Sequence, residues 1–372
     1  VPTLMVSGEG DYPAMTSLEM YTALQNASQE RSIWAPMASN QSANGNYQLI
    51  WGTQTDANMA GYDYHPYELE WFDTFLKRRK TGVADTRTPL HLYEWHARQW
   101  VDAGSYPLTR AYARYYLTGS TTSQAPHAMN NGGLSTSPPT STTGADAIKW
   151  APPASASTPN RASNILDYTS EPFSRAALLA GPITARVYAS STTRNIMLVA
   201  TLIDVAPNGT TTSVYHIWVP DGVLLGTARA VDPSRSWYDS TGGPIFPYHP
   251  FTVGTQEAVR PGQTIAMDVS LSPRMWAVLP GHRLRLQITA QAPTLLAPTR
   301  PQVAALSGGT FSIARNSQDP SYINLPVLPL NAFASDPAYG HTSYQTEPQS
   351  PAGIGSGTTF LGPQFTIPPL RR

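Results

Sequence analysis

The chain has 372 residues, 24 Lys and Arg against 24 Asp and Glu, a formal net charge of zero and only 13% charged residues. So neutral a balance argues against a nucleic-acid or polyanion binder, which needs a basic excess. The absence of cysteine excludes disulfides, thiolate metal sites and a cysteine nucleophile within this chain, and no run of about 18 consecutive apolar residues is present to span a membrane.

Hydrophobic residues at 41% and aromatics at 10% are ample for packed cores, and the length suggests two domains. Lysine is nearly absent (Lys77, Lys80 and Lys149), which reads as base composition rather than chemistry. The abundance of Ser, Thr, Asn and Pro is compatible with an exported protein. The expected location is secreted or periplasmic, with the cytoplasm also open.

Residues 1–11 run from an apolar stretch through small residues to an acid, Asp11, and residues 17–27 follow with a helical texture. That order predicts a β-strand feeding a helix through a loop that carries a functional carboxylate. With no initiator Met, signal peptide or preceding β/α unit, the expectation is the later part of a larger fold. Residues 47–52 predict a second strand after a polar segment with an Asn-Gly pair. Residues 66–80 predict a helix. Pro66 suits its first turn. Leu69, Phe72, Phe75 and Leu76 form its apolar stripe, Lys77, Arg78, Arg79 and Lys80 favour its C-terminal end, and Gly82 stops it. Residues 1–83 therefore read as α/β.

Beyond residue 84, Pro, Gly, Ser and Thr clusters separate short β-rich runs at 90–95, 113–117, 183–189, 197–205, 213–219, 263–271 and 282–289. In the last of these Leu284, Leu286 and Ile288 alternate with Arg283, Arg285 and Gln287, which predicts one wet face. Many short, punctuated strands indicate an all-β sandwich over 84–372. Residues 119–163, low in complexity, predict a long surface loop.

From Tyr168 the residues carry a family likeness. Tyr168-Thr169-Ser170-Glu171-Pro172 is followed by Gly181-Pro182, by Leu202-Ile203-Asp204-Val205 with Asn208-Gly209, by Asp221-Gly222, and by Gly281-His282-Arg283-Leu284-Arg285-Leu286. In order and spacing this resembles the C-terminal jelly-roll domain of the X-Pro dipeptidyl-peptidase, cocaine esterase and α-amino acid ester hydrolase group of serine hydrolases. Upstream, residues 70–77 resemble the last helix of that group's α/β-hydrolase domain, residues 100–116 its opening β-domain segment, and residues 1–11 the strand and loop that present the triad acid. The implied fold class is α/β plus all-β: the later part of an α/β-hydrolase domain over 1–83, then a jelly-roll β-sandwich.

The resemblance implies that Asp11 is the acid of a Ser-Asp-His triad, holding an imidazole tautomer; the plainer reading is a loop acid capping the following helix. The Gly-x-Ser-x-Gly nucleophile motif is absent, since Gly353-Ile354-Gly355-Ser356-Gly357 is off register. The serine and oxyanion donors are then expected on an N-terminal portion or companion chain, and this chain alone is not expected to perform acyl transfer. Two turns resemble the one that carries the family's histidine, but they place Ser39 and Asp56 there, and neither replaces imidazole as an acid–base near neutral pH. His65 is the nearest alternative general base; its plainer reading is a helix-start residue among Tyr62, Tyr64 and Tyr67.

His282 reads as making backbone or domain-interface hydrogen bonds, and His91 with His96 as structural rather than metal-binding. The Trp and Tyr residues of 95–116 line a substrate pocket on one reading and pack a domain interface on the other. Asp63 and Asp73 read as helix-terminal or surface partners. No cofactor, nucleic acid or membrane span is expected. The expected substrate is a small ester or peptide, and a homo-oligomer is left open. The alternative reading is a non-catalytic family member whose sandwich serves binding or assembly.

Overall fold

The computed structural model describes residues 1–9, 14–38, 41–52, 65–94, 99–119, 132–152, 165–214, 222–291, 298–329 and 344–346. In chain order these form β1 (Thr3–Gly8), α1 (Ala14–Ala27), β2 (Tyr47–Gly52), α2 (His65–Phe75), β3 (Leu90–Glu94), β4 (Gln99–Ala103), β5 (Ala113–Thr118), β6 (Gly132–Ser135), β7 (Ala145–Lys149), β8 (Ile165–Ser170), β9 (Ala177–Ser191), β10 (Met197–Val205), β11 (Thr211–Ser213), β12 (Gly222–Leu225), β13 (Trp237–Tyr238), β14 (Pro244–Phe246), β15 (Ile265–Val278), β16 (Arg283–Thr289), α3 (Arg300–Leu306), β17 (Thr310–Ala314), β18 (Tyr322–Leu325), β19 (Val327–Pro329) and β20 (Tyr344–Thr346).

The first sheet runs β1-β2-β3-β4-β20. β1, β2 and β3 are parallel, while β4 lies antiparallel to β3 and β20 antiparallel to β4. β2 and β3 are buried along nearly their whole length, as parallel strands covered on both faces must be. Residues 90–103, read from sequence with the β-rich part, thus join the first sheet. α1 begins at Ala14 and buries Leu18 and Tyr21. Two buried amides near its end replace an apolar plug. Gln25 donates to the Asn44 and Tyr47 carbonyls at 3.0 Å each, and Asn26 donates to the Ala35 carbonyl at 2.7 Å. They satisfy the backbone of the long loop between α1 and β2.

α2 corrects the sequence reading. It ends at Phe75, and Arg78 takes the left-handed conformation (φ 56°). The Arg79 N–H then closes back on the Asp73 carbonyl at 2.9 Å, which is how a left-handed residue terminates a helix. Lys77 and Arg79 therefore lie past the helix and pair with the Asp73 carboxylate at 2.6 and 2.7 Å. Of the expected apolar stripe only Phe75 is kept. Tyr67, Trp71 and Phe75 pack against the sheet, whereas Leu69, Phe72 and Leu76 are exposed.

The second sheet has thirteen strands. Its path is β11-β10-β16-β8-β6-β5-β18-β9-β17-β7, with β12 on β10 and β15 and β19 on β9. Residues from most of these strands meet in one core that includes Trp276, Phe311, Leu284, Leu286 and Ile288, so the sheet folds over on itself. β10 keeps the bounds read from the sequence. Residues 119–163 do not form one loop: β6 and β7 lie inside it, anchored by buried Leu134 and Ile148. The run at 213–219 is described only to residue 214. The wet face expected of β16 is interrupted, because Arg285 is buried beside Asp167, its guanidinium 3.6 Å from that carboxylate.

β15 joins the two units. It pairs with β9 along its length, with a register shift between Leu271 and Arg274 where Ser272 and Pro273 sit. Proline cannot donate to a ladder, and a bulge is where a sheet tolerates it. Before the bulge Met267, Val269 and Leu271 enter the core of the second sheet. After it Met275 enters a second core with Leu18, Tyr21, Trp51, Leu92, Tyr106, Trp237 and Phe246. That shared core welds the first sheet, parallel from β1 to β3, to the second, which is antiparallel except where β6 pairs with β8. At its edge the Arg235 guanidinium lies between the rings of Trp34 and Tyr248, at 3.9 and 3.6 Å from their centroids. The Trp237 indole N–H donates to the Trp34 carbonyl at 2.7 Å.

Candidate functional site

The C-terminal ends of two of the three parallel strands, β1 and β3, meet β15. β1 ends at Gly8, and the Glu9 N–H donates to the Gly52 carbonyl at the end of β2, at 2.8 Å. The Glu9 carboxylate then crosses to the antiparallel unit. It accepts from Arg274 Nη1 at 2.9 Å and from the Met275 N–H at 3.2 Å. β3 ends in the same way: Glu94 accepts from the Ala277 N–H at 2.6 Å. Glu9 and Glu94 are 1% and 0% exposed. Burial pushes the Glu9 carboxyl from 4.5 up to about 8, against the pull of Arg274 and with Glu94 adding repulsion. An acid poised there can hold or release a proton near neutral pH. As placed, its hydrogen bonds serve to fix the strand end two residues before Asp11.

A polar cluster lies deeper in the first sheet. His91 Nδ1 is 2.7 Å from Asp102 Oδ1 on the neighbouring strand. The Tyr67 ring meets the His91 ring edge-on with centroids 5.6 Å apart, and its hydroxyl donates to Gln48. Gln48 in turn donates to the Gly45 and Val83 carbonyls at 2.7 and 2.8 Å. Burial, with Asp102 nearby, raises the Tyr67 phenol, so Tyr67 acts as a neutral donor. His91 thus has a carboxylate partner inside the sheet.

Asp11 lies outside the described residues, as do Ser39, Asp56, Asp63, His96 and the glycine-rich run at 353–357. His65 is the first residue of α2 and is exposed. Asp73 is a surface partner of two cations. His282 finds a side chain where backbone or interface partners were expected: its Nδ1 is 2.7 Å from Asp204 Oδ1, and Asp204 also accepts from the Trp276 indole N–H at 2.9 Å. Of the aromatics between 95 and 116, Tyr106 is buried in the core shared by the two units, and the Tyr112 hydroxyl donates to the Pro182 carbonyl at 3.1 Å. Both pack the junction. Sequence reasoning passed over Glu9, Glu94 and Arg274. The only local signal was an acid at the end of each of two apolar runs, and Glu9 was eclipsed by Asp11.

Parallel strand ends tied by buried carboxylates into a large, mostly antiparallel β-unit define a β-rich chain whose two sheets are bonded to each other. Residues 79–324 match the family model described as the X-Pro dipeptidyl-peptidase C-terminal non-catalytic domain, and the chain belongs to that family. A Mycobacterium bovis protein named "Putative serine esterase Mb1866c" is 23% identical over 278 residues, covering 72% of this chain and 41% of that protein. Among solved structures, an aminopeptidase from a marine sediment Thaumarchaeota archaeon superposes with TM-score 0.61 and 17% identity over 88% of this chain and 55% of its own. A CocE/NonD family hydrolase from Staphylococcus aureus gives 0.60 and 12% over 88% and 54%. An α-amino acid ester hydrolase gives 0.58 and 18% over 88% and 56%. These likenesses bear out the resemblance read from the sequence and show a shared fold. The chain spans about two fifths of the length of the curated relative and just over half of the solved ones. No helix among the described residues is long and apolar enough to cross a membrane.

Proposed function

We propose that this chain is the C-terminal portion of a serine hydrolase that cleaves an ester or amide bond through an acyl-serine intermediate. The serine and oxyanion donors come from a portion that the chain does not contain. The observation that carries this reading is the end of β1. Glu9 is clamped to β15 by Arg274 and the Met275 N–H, so Asp11 follows two residues after this fixed point at the end of β1, beside β2, and three before the start of α1. A triad acid needs such a support, because it works by holding an imidazole in one orientation. The exposed Leu69 and Phe72 on α2, with exposed Leu76 just past its end, fit a helix that further protein covers.

The test uses the full-length protein and a fluorophosphonate probe. A labelled serine upstream of Val1, with Asp11→Asn lowering turnover of a p-nitrophenyl ester about 10⁴-fold, supports the proposal. The second reading is a non-catalytic member whose antiparallel unit serves binding or assembly. Ser39 and Asp56 at the two histidine-like turns favour it. A protein that is folded yet never labelled, with no esterase turnover, would establish that reading instead.

A further inference from the structure

The antiparallel unit carries a cleft of about 780 Å³, none of whose lining residues belongs to the first sheet. It lies between β5, the turn after β6 and the segment that follows β8. Nine of its nineteen lining residues are serine or threonine, and only Glu171 and Arg315 are charged. Its aromatic residues are Tyr115 and Phe173, half-buried rings inclined by 22° with centroids 6.4 Å apart.

The cleft is held in shape by its own hydrogen bonds. The Ser141 hydroxyl donates to the Thr143 carbonyl at 2.7 Å, and the Ser141 carbonyl accepts from the Ser317 N–H at 2.7 Å. The Arg315 N–H donates to the Gly144 carbonyl at 3.0 Å, and its guanidinium is fixed by Asp146 at 3.0 Å. Gly119 makes room for that guanidinium, since an added Cβ would lie 2.5 Å from Arg315 Nη1. This wall is therefore formed before any ligand arrives.

The lining narrows the ligand class. An anion needs several uncommitted cations, and Arg315 is already neutralised by Asp146. A cation would have only Glu171, whose side chain is 83% exposed and 3.5 Å from Arg283. An apolar ligand would desolvate hydroxyls without pairing them, at a cost. A neutral polyhydroxylated ligand meets all three constraints. Its hydroxyls exchange bonds with Ser and Thr, and its C–H faces lie on Tyr115 and Phe173. The volume falls within the range of about 300–1,000 Å³ of small-molecule sites. We propose that this cleft binds a neutral saccharide, independently of whether the chain completes a hydrolase.

The experiment is calorimetric titration of the full chain with cellotetraose, maltotetraose, xylotetraose and mannotetraose. At least one should bind with a dissociation constant of about 1 mM or tighter. Tyr115→Ala and Phe173→Ala should each weaken it about tenfold. Thr136→Trp, an exposed substitution at the cleft wall that does not touch the core, should abolish it. Phe251→Ala, which removes an exposed aromatic outside the cleft, should leave it unchanged. Saturable binding of none of the four sugars overturns the proposal. So does binding that survives Thr136→Trp, or tighter binding of heparin or a proline-rich peptide than of any neutral sugar.

Discussion

Removing the charge of Glu9 should stabilise the protein as the solution becomes alkaline. The Glu9 carboxyl is 1% exposed, 2.9 Å from Arg274 Nη1 and 3.2 Å from the Met275 N–H, with Glu94 and Tyr106 also facing it. Desolvation outweighs Arg274, and the carboxyl rises from 4.5 to about 8. The unfolded chain gives up this proton near 4.5, whereas the folded chain keeps it until about 8. Between those values the folded state binds more protons, so Glu9's contribution to stability is fully present below 4.5 and is lost as pH rises through 8. At about 1.4 kcal/mol per pH unit, the interval from about pH 5 to pH 8 spans about 4 kcal/mol. Glutamine keeps the shape and an acceptor oxygen but does not titrate. The stability of Glu9→Gln relative to the parent should therefore shift in its favour by about 4 kcal/mol from about pH 5 to pH 9. Urea midpoints read by tryptophan fluorescence across that range measure it. A flat difference with pH, together with a loss of about 3–5 kcal/mol at pH 5, is the signature of breaking an ionised buried pair. That outcome would refute the reasoning.

Gly45→Ala should cost about 3 kcal/mol or more, because an added Cβ would lie 2.0 Å from the Ala84 carbonyl oxygen, which belongs to the backbone and cannot swing aside. A melting temperature close to the parent's would show that the loop relaxes. Arg186→Lys should cost about 1–2 kcal/mol, since Arg186 grips Asp268 through two bonds, Nε–Oδ1 at 2.6 Å and Nη2–Oδ2 at 2.7 Å, and an ammonium cannot reproduce that fork. Lys77→Ala, at an exposed pair, should change stability by less than about 0.5 kcal/mol. Phe251 is 68% exposed with φ 51°. Phe251→Gly should gain about 0.5–1 kcal/mol by relieving a left-handed aromatic; a clear loss in thermal melts would show that its ring contact with His249 outweighs the strain.

Part of the fold was legible because local pattern and tertiary role agree there. The β10 run is apolar except for Thr201 and Asp204, and it is buried except for half-buried Thr201 and Ile203. In β16, Leu284, Leu286 and Ile288 recur every second residue and all enter the core. α2 was misread because two apolar faces compete on one helix. Leu69, Phe72 and Leu76 have the right spacing, but Tyr67 and Trp71 bury more surface against the sheet. β6 and β7 were invisible because a single leucine or isoleucine in a hydroxyl-rich stretch gives no period to detect. Arg285 looked exposed because alternation carries no information about Asp167, which is more than a hundred residues away in sequence.

The sequence by itself determined that the chain is β-rich after an α/β start, that it lacks the motif for a serine nucleophile, and which family it joins. Those are properties of composition, local periodicity and ordered short motifs, and each can be read from neighbours in the chain. Only the tertiary structure decided that the first sheet takes in residues 90–103, and that Glu9 and Glu94 reach β15 past the Ser272-Pro273 bulge. It also decided that the hydroxyl-rich stretch folds into one wall of a cleft. These depend on which buried groups are desolvated together, and burial is set by segments hundreds of residues apart.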